Sequence, residues 1–100
     1  MRGDGRTFMR VIYQKISIIG MGLIGSSIAL ATRRGEAAKK IIGSDIDAAA
    51  GTAVEKLGLV DDFFSDATRA VAEADLVIMA VPVGSVGKLA KNIIPFMKKG

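Results

Sequence analysis

Four apolar runs divide this chain, and a stretch with helical character follows each of them. Val11–Ile19 ends in ISII, apolar without alternation, as a strand buried on both faces reads. LVIMAV at Leu76–Val81 is the clearest run, and Pro82 ends it. KIIGS at Lys40–Ser44 and the segment Leu59–Phe64 are shorter candidates for strands. The first intervening helix is expected over Leu23–Arg34, rich in small residues at Gly25, Ser26, Ser27, Ala29 and Ala31. Arg33 and Arg34 suit its C-terminal dipole, and Gly35 suits a left-handed cap. Asp47 stands where an N-cap belongs, ahead of a helix over Ala48–Leu57 that stops at Gly58. Asp66 can cap a brief helix running through Ala72. A last helix is expected from Val86 to about Met97, with Pro95 near its end and Lys98, Lys99 and Gly100 closing it. The order β-α-β-α-β-α-β-α predicts the α/β class, a parallel sheet with helices on both faces. Residues 1–10 show no periodicity and are expected to form a flexible arm, leaving 11–100 as one domain. The final helix should feed a further strand, so the sheet is expected to be incomplete at its C-terminal end.

The first strand runs straight into IIGMGLIGSS, with Gly20, Gly22 and Gly25 spaced G-x-G-x-x-G. Alone, that spacing fits any tight turn between a strand and a helix. Here it follows a strand, opens a helix, and is succeeded by Asp45 at the end of the second strand, twenty residues after Gly25. Those are the conditions of the dinucleotide-binding (Rossmann) fingerprint. Gly20 would allow the reversal out of the strand, Gly22 the close approach of a pyrophosphate, and Gly25 tight packing of helix on sheet. The free amides around Leu23 and Ile24 would face phosphate with the helix dipole behind them. Asp45 would accept from both hydroxyls of the adenosine ribose. Its carboxylate would repel a 2′-phosphate and Ile46 offers no guanidinium, so NAD is favoured over NADP as cofactor. Arg33 and Arg34 lie at the far end of the helix. Ala80, Val81, Pro82 and Val83, at the carboxyl end of the fourth strand, are expected to wall the cofactor crevice at the switch point of the sheet. Ser26 and Ser27 read as small packing residues. VGSVGK at Val83–Lys88 lacks the spacing of a P-loop and reads as a loop leading into a helix.

Composition narrows the chemistry. The chain has 100 residues, no cysteine and no histidine, which removes the commonest metal ligands and the commonest general base. No metal site is expected, and no catalytic residue is assigned. The net charge of +4 sits mostly toward the two ends, with no basic stripe interleaved with aromatics, so nucleic acid is not an expected partner. No apolar run approaches the roughly 18 residues a membrane span needs, and no signal-type segment opens the chain, so neither membrane nor export is expected. A cytoplasmic setting follows as the default.

GMGLIGSSIALA, IIGSDID, EKLGLVDD and ADLVIMAVPVG, in that order, resemble the N-terminal half of the prephenate/arogenate dehydrogenase family of tyrosine biosynthesis. The likeness extends from about Lys15 to Gly100. It implies an oxidative decarboxylation of prephenate or arogenate with hydride transfer to NAD(P). It also implies a second, largely helical domain that supplies dimer contacts, and so a homodimer, and much of the substrate pocket. The cofactor features of the family fall on Gly20, Gly22, Gly25 and Asp45, and its AVPV strand end on Ala80–Val83. The family's catalytic histidine and its GSVK-like serine segment have no counterpart here. GSVGK at Gly84–Lys88 sits one strand too early, and the serine's role is not carried onto Ser85. This chain is therefore expected to bind cofactor weakly and to be inactive alone. The cofactor domain of another hydroxy-acid or imine dehydrogenase, and a non-enzymatic nucleotide-binding module, are the competing expectations.

Overall fold

The computed structural model describes residues 13–97. The expected arm, the first two residues of the opening strand and the terminal KKG lie outside them. Four strands, β1 (Tyr13–Ile19), β2 (Ala38–Ser44), β3 (Asp62–Phe64) and β4 (Leu76–Met79), form one parallel sheet in the order β3-β2-β1-β4. Helices α1 (Leu23–Arg34), α2 (Ala48–Lys56) and α3 (Ala67–Ala70) connect them, and α4 (Val83–Ile93) follows β4. The chain steps from β1 outward to β3, then returns through α3 to the opposite edge. That reversal places a topological switch point between β1 and β4, where open α/β sheets bind ligands.

The uninterrupted apolar strands are explained by two cores, one on each face of the sheet. Ile16 and Ile18 of β1, with Ile41 of β2, pack with Ala29 of α1 and Val54 of α2. On the other face Ile19 and Ile42 pack with Ala70 and Val71 at α3 and with Ile93 of α4. Leu76 and Ile78 of β4 serve the first core, Val77 and Met79 the second. Ser17 is the one polar residue within β1's buried run, and its hydroxyl donates to the carbonyl of Ala70, tying β1 to the end of α3. Burying a side chain of the size of Ile18, which is fully covered, contributes on the order of 2–3 kcal/mol.

Two aspartates in the loops ahead of strands fasten neighbouring strands. Asp61 Oδ2 accepts from the amide of Ile41 at 2.7 Å and lies 3.5 Å from the guanidinium of Arg33. Asp75 Oδ2 accepts from the amides of Gln14 (2.7 Å) and Lys15 (3.1 Å). Each carboxylate thus satisfies backbone donors near the point where a short parallel pairing begins. Asp47 and Asp66 cap α2 and α3 as their positions predicted, accepting from the amides of Ala49 and Thr68.

The structure corrects the bounds of several elements: β3 begins at Asp62 instead of Leu59, because only Asp62–Phe64 pair with β2, α2 ends at Lys56 instead of Leu57, and α3 ends at Ala70 instead of Ala72. β2 begins at Ala38, two residues early, because its start is carried by pairing with β1 rather than by apolar content. β4 ends at Met79, so Ala80 and Val81 belong to the turn. α4 begins at Val83 instead of Val86, with Pro82 as its N-cap. Proline suits a helix start, where a missing N–H costs nothing, and burial of Leu89 and Ile93 offsets the poor propensity of Gly84 and Gly87. At the other end α4 stops at Ile93, and Pro95 sits within a 3-10 turn over Ile94–Phe96. Finally, Gly35 keeps a right-handed conformation (φ −81°), and the left-handed turn after α1 falls on Glu36 (φ 51°).

Candidate cofactor-binding site

The carboxyl ends of β1, β2 and β4 meet at one rim of the sheet. Ile19 pairs with both Ser44 and Met79, so the residues following all three strands converge. Gly20 donates to the carbonyl of Ser44 at 2.7 Å, and Ala80 donates to that of Ile19 at 2.8 Å. Gly20 has φ +101°, and a β-carbon there would lie 2.3 Å from the carbonyl oxygen of Ala80. Only glycine meets both demands. Gly25 faces a harder limit, since its β-carbon would fall 1.7 Å from the carbonyl oxygen of Gly20. This close approach lets α1 lie directly against the end of β1.

Gly22 differs. Its backbone is extended at φ −74°, and nothing lies within 4 Å of where a β-carbon would stand. Neither strain nor protein packing calls for glycine at this position. It is also the N-cap of α1 and offers no side-chain cap. The first helical hydrogen bond runs from the amide of Ser26 to the carbonyl of Gly22 at 2.9 Å. The amides of Leu23, Ile24 and Gly25 therefore point out of the helix end without intrahelical acceptors. Open space ahead of uncapped amides at the positive end of a helix fits an anionic group such as a pyrophosphate.

Across the rim, Asp45 Oδ2 accepts from the amide of Met21 at 2.7 Å, and Oδ1 from the amide of Asp47 at 2.9 Å. An ionised carboxylate offers about four acceptor positions, so both oxygens keep room for a ribose hydroxyl. Met21 is buried, with its sulfur against Gly43. The hydroxyls of Ser26 and Ser27 turn back onto the carbonyls of Met21 (3.1 Å) and Leu23 (2.8 Å); Ser26 is half-buried, whereas Ser27 is exposed and does not take the packing role expected of it.

A cleft of about 840 Å³ opens between these elements. Gly20, Gly22, Asp45, Ala80, Val81 and Pro82 all line it. Leu23 and Ile24 border an adjoining hollow with Gly22, Met79 and Ala80–Pro82. Gly25 lies beneath the turn, and Val83 borders neither space and is 90% exposed. Ile46, beside Asp45, also lines the cleft, and sequence reasoning missed the part of the lining formed by Ser65–Thr68 and the α4 residues Ser85, Lys88 and Asn92. The last three recur at intervals of three and four, one face of a helix. That signal was hidden because the helix was expected to begin after Ser85. Asp66, held by the hydroxyl and amide of Thr68 and facing Arg69, has its carboxyl below the usual aspartate range. Among the described residues no group of histidine, cysteine and carboxylate side chains could hold a metal ion.

Residues 28–100 match the family model described as prephenate dehydrogenase, nucleotide-binding domain. The chain belongs to this family. The matched span begins at Ile28, after the glycine turn, so that turn stands on its own geometry. A prephenate dehydrogenase of Lactococcus lactis is 40% identical over 83 residues, and one of Bacillus subtilis 43% over 75. A cyclohexadienyl dehydrogenase of Zymomonas mobilis is 38% identical over 88 residues. These alignments cover 83%, 75% and 88% of this chain but only 23%, 20% and 30% of the relatives. Among solved structures, prephenate dehydrogenase from Aquifex aeolicus, in complex with hydroxyphenyl propionate and NAD+, superposes with a TM-score of 0.77 at 26% identity. The match takes in 85% of this chain and 30% of that one. A diketoreductase at 22% identity and a TM-score of 0.71 shares the fold. The parallel sheet with helices on both faces is thus the Rossmann-type architecture expected from the sequence.

Proposed function

We propose that this chain is the NAD-binding portion of a prephenate or arogenate dehydrogenase. The observation that carries the reading is Gly22, a glycine with no protein neighbour to accommodate, standing before the uncapped amides of α1. The pyrophosphate would rest there, and Asp45 would accept from the adenosine ribose. Ala80–Pro82 would form the wall nearest the nicotinamide half. NAD, when bound, supplies the hydride acceptor for the oxidative decarboxylation. What this chain contributes is position: it would hold the dinucleotide at the switch point so that its reactive ring faces a substrate. The chain contains no histidine and no assigned general base, so we expect the isolated polypeptide to bind NAD and to leave prephenate unchanged. Kinship with the family supports a homodimer and a cytoplasmic setting for the enzyme, both proposals here. Among the described residues no helix is long and apolar enough to cross a membrane.

Calorimetric titration of the chain with NAD, NADP and coenzyme A tests the reading. NAD should bind more tightly than NADP, and coenzyme A should give no heat. Absence of heat with every nucleotide would sink it. Asp45→Ala should narrow the gap between NAD and NADP, and an unchanged ratio would remove the carboxylate from the choice of cofactor.

A further inference from the structure

Asp45 is already occupied before any nucleotide arrives. One carboxylate oxygen holds the amide of Met21 at 2.7 Å, and the other holds the amide of Asp47 at 2.9 Å. Met21 is the central residue of Gly20–Met21–Gly22, and glycine on either side leaves its peptide planes unusually free to rotate. Ser26 restrains one of them, its hydroxyl donating to the Met21 carbonyl at 3.1 Å. The buried Met21 side chain fixes the α-carbon against Gly43, and Gly20 donates to the carbonyl of Ser44 at 2.7 Å. Beyond Met21, no atom lies within 4 Å of where a Gly22 β-carbon would stand, and α1 opens without a side-chain cap. The backbone bond to Ser44 would form with any residue at position 45. The bond to the Met21 amide needs an acceptor of aspartate length at that position.

We propose that Asp45 is a positioning residue for the glycine turn, fixing the Gly20–Met21 peptide, whose N–H it holds, and so the entrance to the phosphate-facing amides. This rests on the dinucleotide reading of the site and adds to it, because it gives the carboxylate a task independent of the ribose. A ligand that offers Asp45 no hydroxyl must still depend on it. Removing the carboxylate to relax the preference for NAD loosens the turn at the same time, so NADP does not simply gain what NAD loses. Asparagine restores one of the two bonds: its oxygen accepts from the Met21 amide, while its NH2 confronts the Asp47 amide donor to donor.

The test uses this chain, with amide hydrogen exchange measured by NMR without nucleotide, and a titration with 2′,3′-dideoxy-ADP, which lacks both ribose hydroxyls. Loss of a hydrogen bond to a charged acceptor should speed exchange of the Met21 amide by about tenfold or more in Asp45→Ala. Exchange at Ile18 in the core should stay as in the parent chain. Dideoxy-ADP should bind about tenfold more weakly to Asp45→Ala by the same reasoning, and Asp45→Asn should recover most of both losses. Unchanged Met21 exchange in Asp45→Ala overturns the proposal, as does unchanged affinity for dideoxy-ADP. If the parent chain binds no nucleotide, the cofactor reading fails, and the exchange measurement alone decides the role of Asp45.

Discussion

Replacing Gly22 or Gly25 by alanine adds the same methyl group three residues apart, and the structure assigns the two variants opposite phenotypes. At Gly25 the new carbon falls 1.7 Å from the carbonyl oxygen of Gly20, more than an ångström inside any tolerable contact. The obstacle is backbone on a buried strand end, so α1 must withdraw from the sheet. Overpacking of this kind costs about 1–3 kcal/mol and more where backbone cannot yield. For a domain of this size each kilocalorie shifts Tm by roughly 4–8 °C. Gly25→Ala should therefore lower Tm by on the order of 10 °C or fail to fold. At Gly22 the carbon enters empty space, and φ −74° is ordinary for alanine. Alanine is a poorer N-cap than glycine, while the loss of chain entropy in the unfolded state favours it. The two effects oppose each other and should leave stability within about 1 kcal/mol of the parent. Nucleotide binding should reverse the order of damage: the methyl group would occupy the space proposed for pyrophosphate, so Gly22→Ala should weaken NAD by at least about tenfold, the equivalent of one lost phosphate hydrogen bond. Thermal denaturation and calorimetry on the same preparations check both limbs. A Gly22→Ala chain that is strongly destabilised, or that binds NAD like the parent, refutes the account of this glycine.

Other expectations concern the scaffold. Gly87 lies inside α4 with nothing near its missing β-carbon, so Gly87→Ala should raise stability by about 1 kcal/mol. Glu36→Gly should gain about 1 kcal/mol by relieving a left-handed residue; a fall in Tm for either would contradict the assigned backbone. Asp61→Ala leaves the Ile41 amide without its carboxylate acceptor and should cost about 1–3 kcal/mol in urea denaturation. Asp66 has a folded-state pKa below its unfolded value, so the unfolded chain binds the extra proton. Its contribution to stability is complete above the ordinary aspartate range and fades as pH falls through the lowered value. Asp66→Asn should flatten that acid limb, and an unchanged pH profile of unfolding would exclude the cap as its source.

How much was legible beforehand differs from residue to residue. The ISII and LVIM runs announce strands covered on both faces because apolar content without alternation has no other stable use in an α/β chain. Asp47 and Asp66 announce helix starts because a short side chain of this type meets a free amide two residues on. Val83–Lys88 misled because helix propensity speaks against Gly84 and Gly87. What overrides it is the burial of Leu89 and Ile93 against the sheet, contacts that lie further along the chain than either glycine. Glu36 in place of Gly35 escaped for a related reason, since the way α1 hands the chain to β2 is set by where β2 pairs.

The site divides along the same line. Sequence alone determined that a glycine turn joins a strand to a helix and that an acid closes the next strand, because those demands are local in the chain. It could not separate the three glycines by purpose. Only the fold shows that Gly20 and Gly25 are required by backbone lying against them, whereas Gly22 answers to no part of the protein. Only the fold brings Ser85, Lys88 and Asn92 of α4 into the same cleft as Asp45, and Met21 under its carboxylate. Those contacts join segments distant in sequence, and the parallel crossover that brings them together is decided by packing on both faces of the sheet.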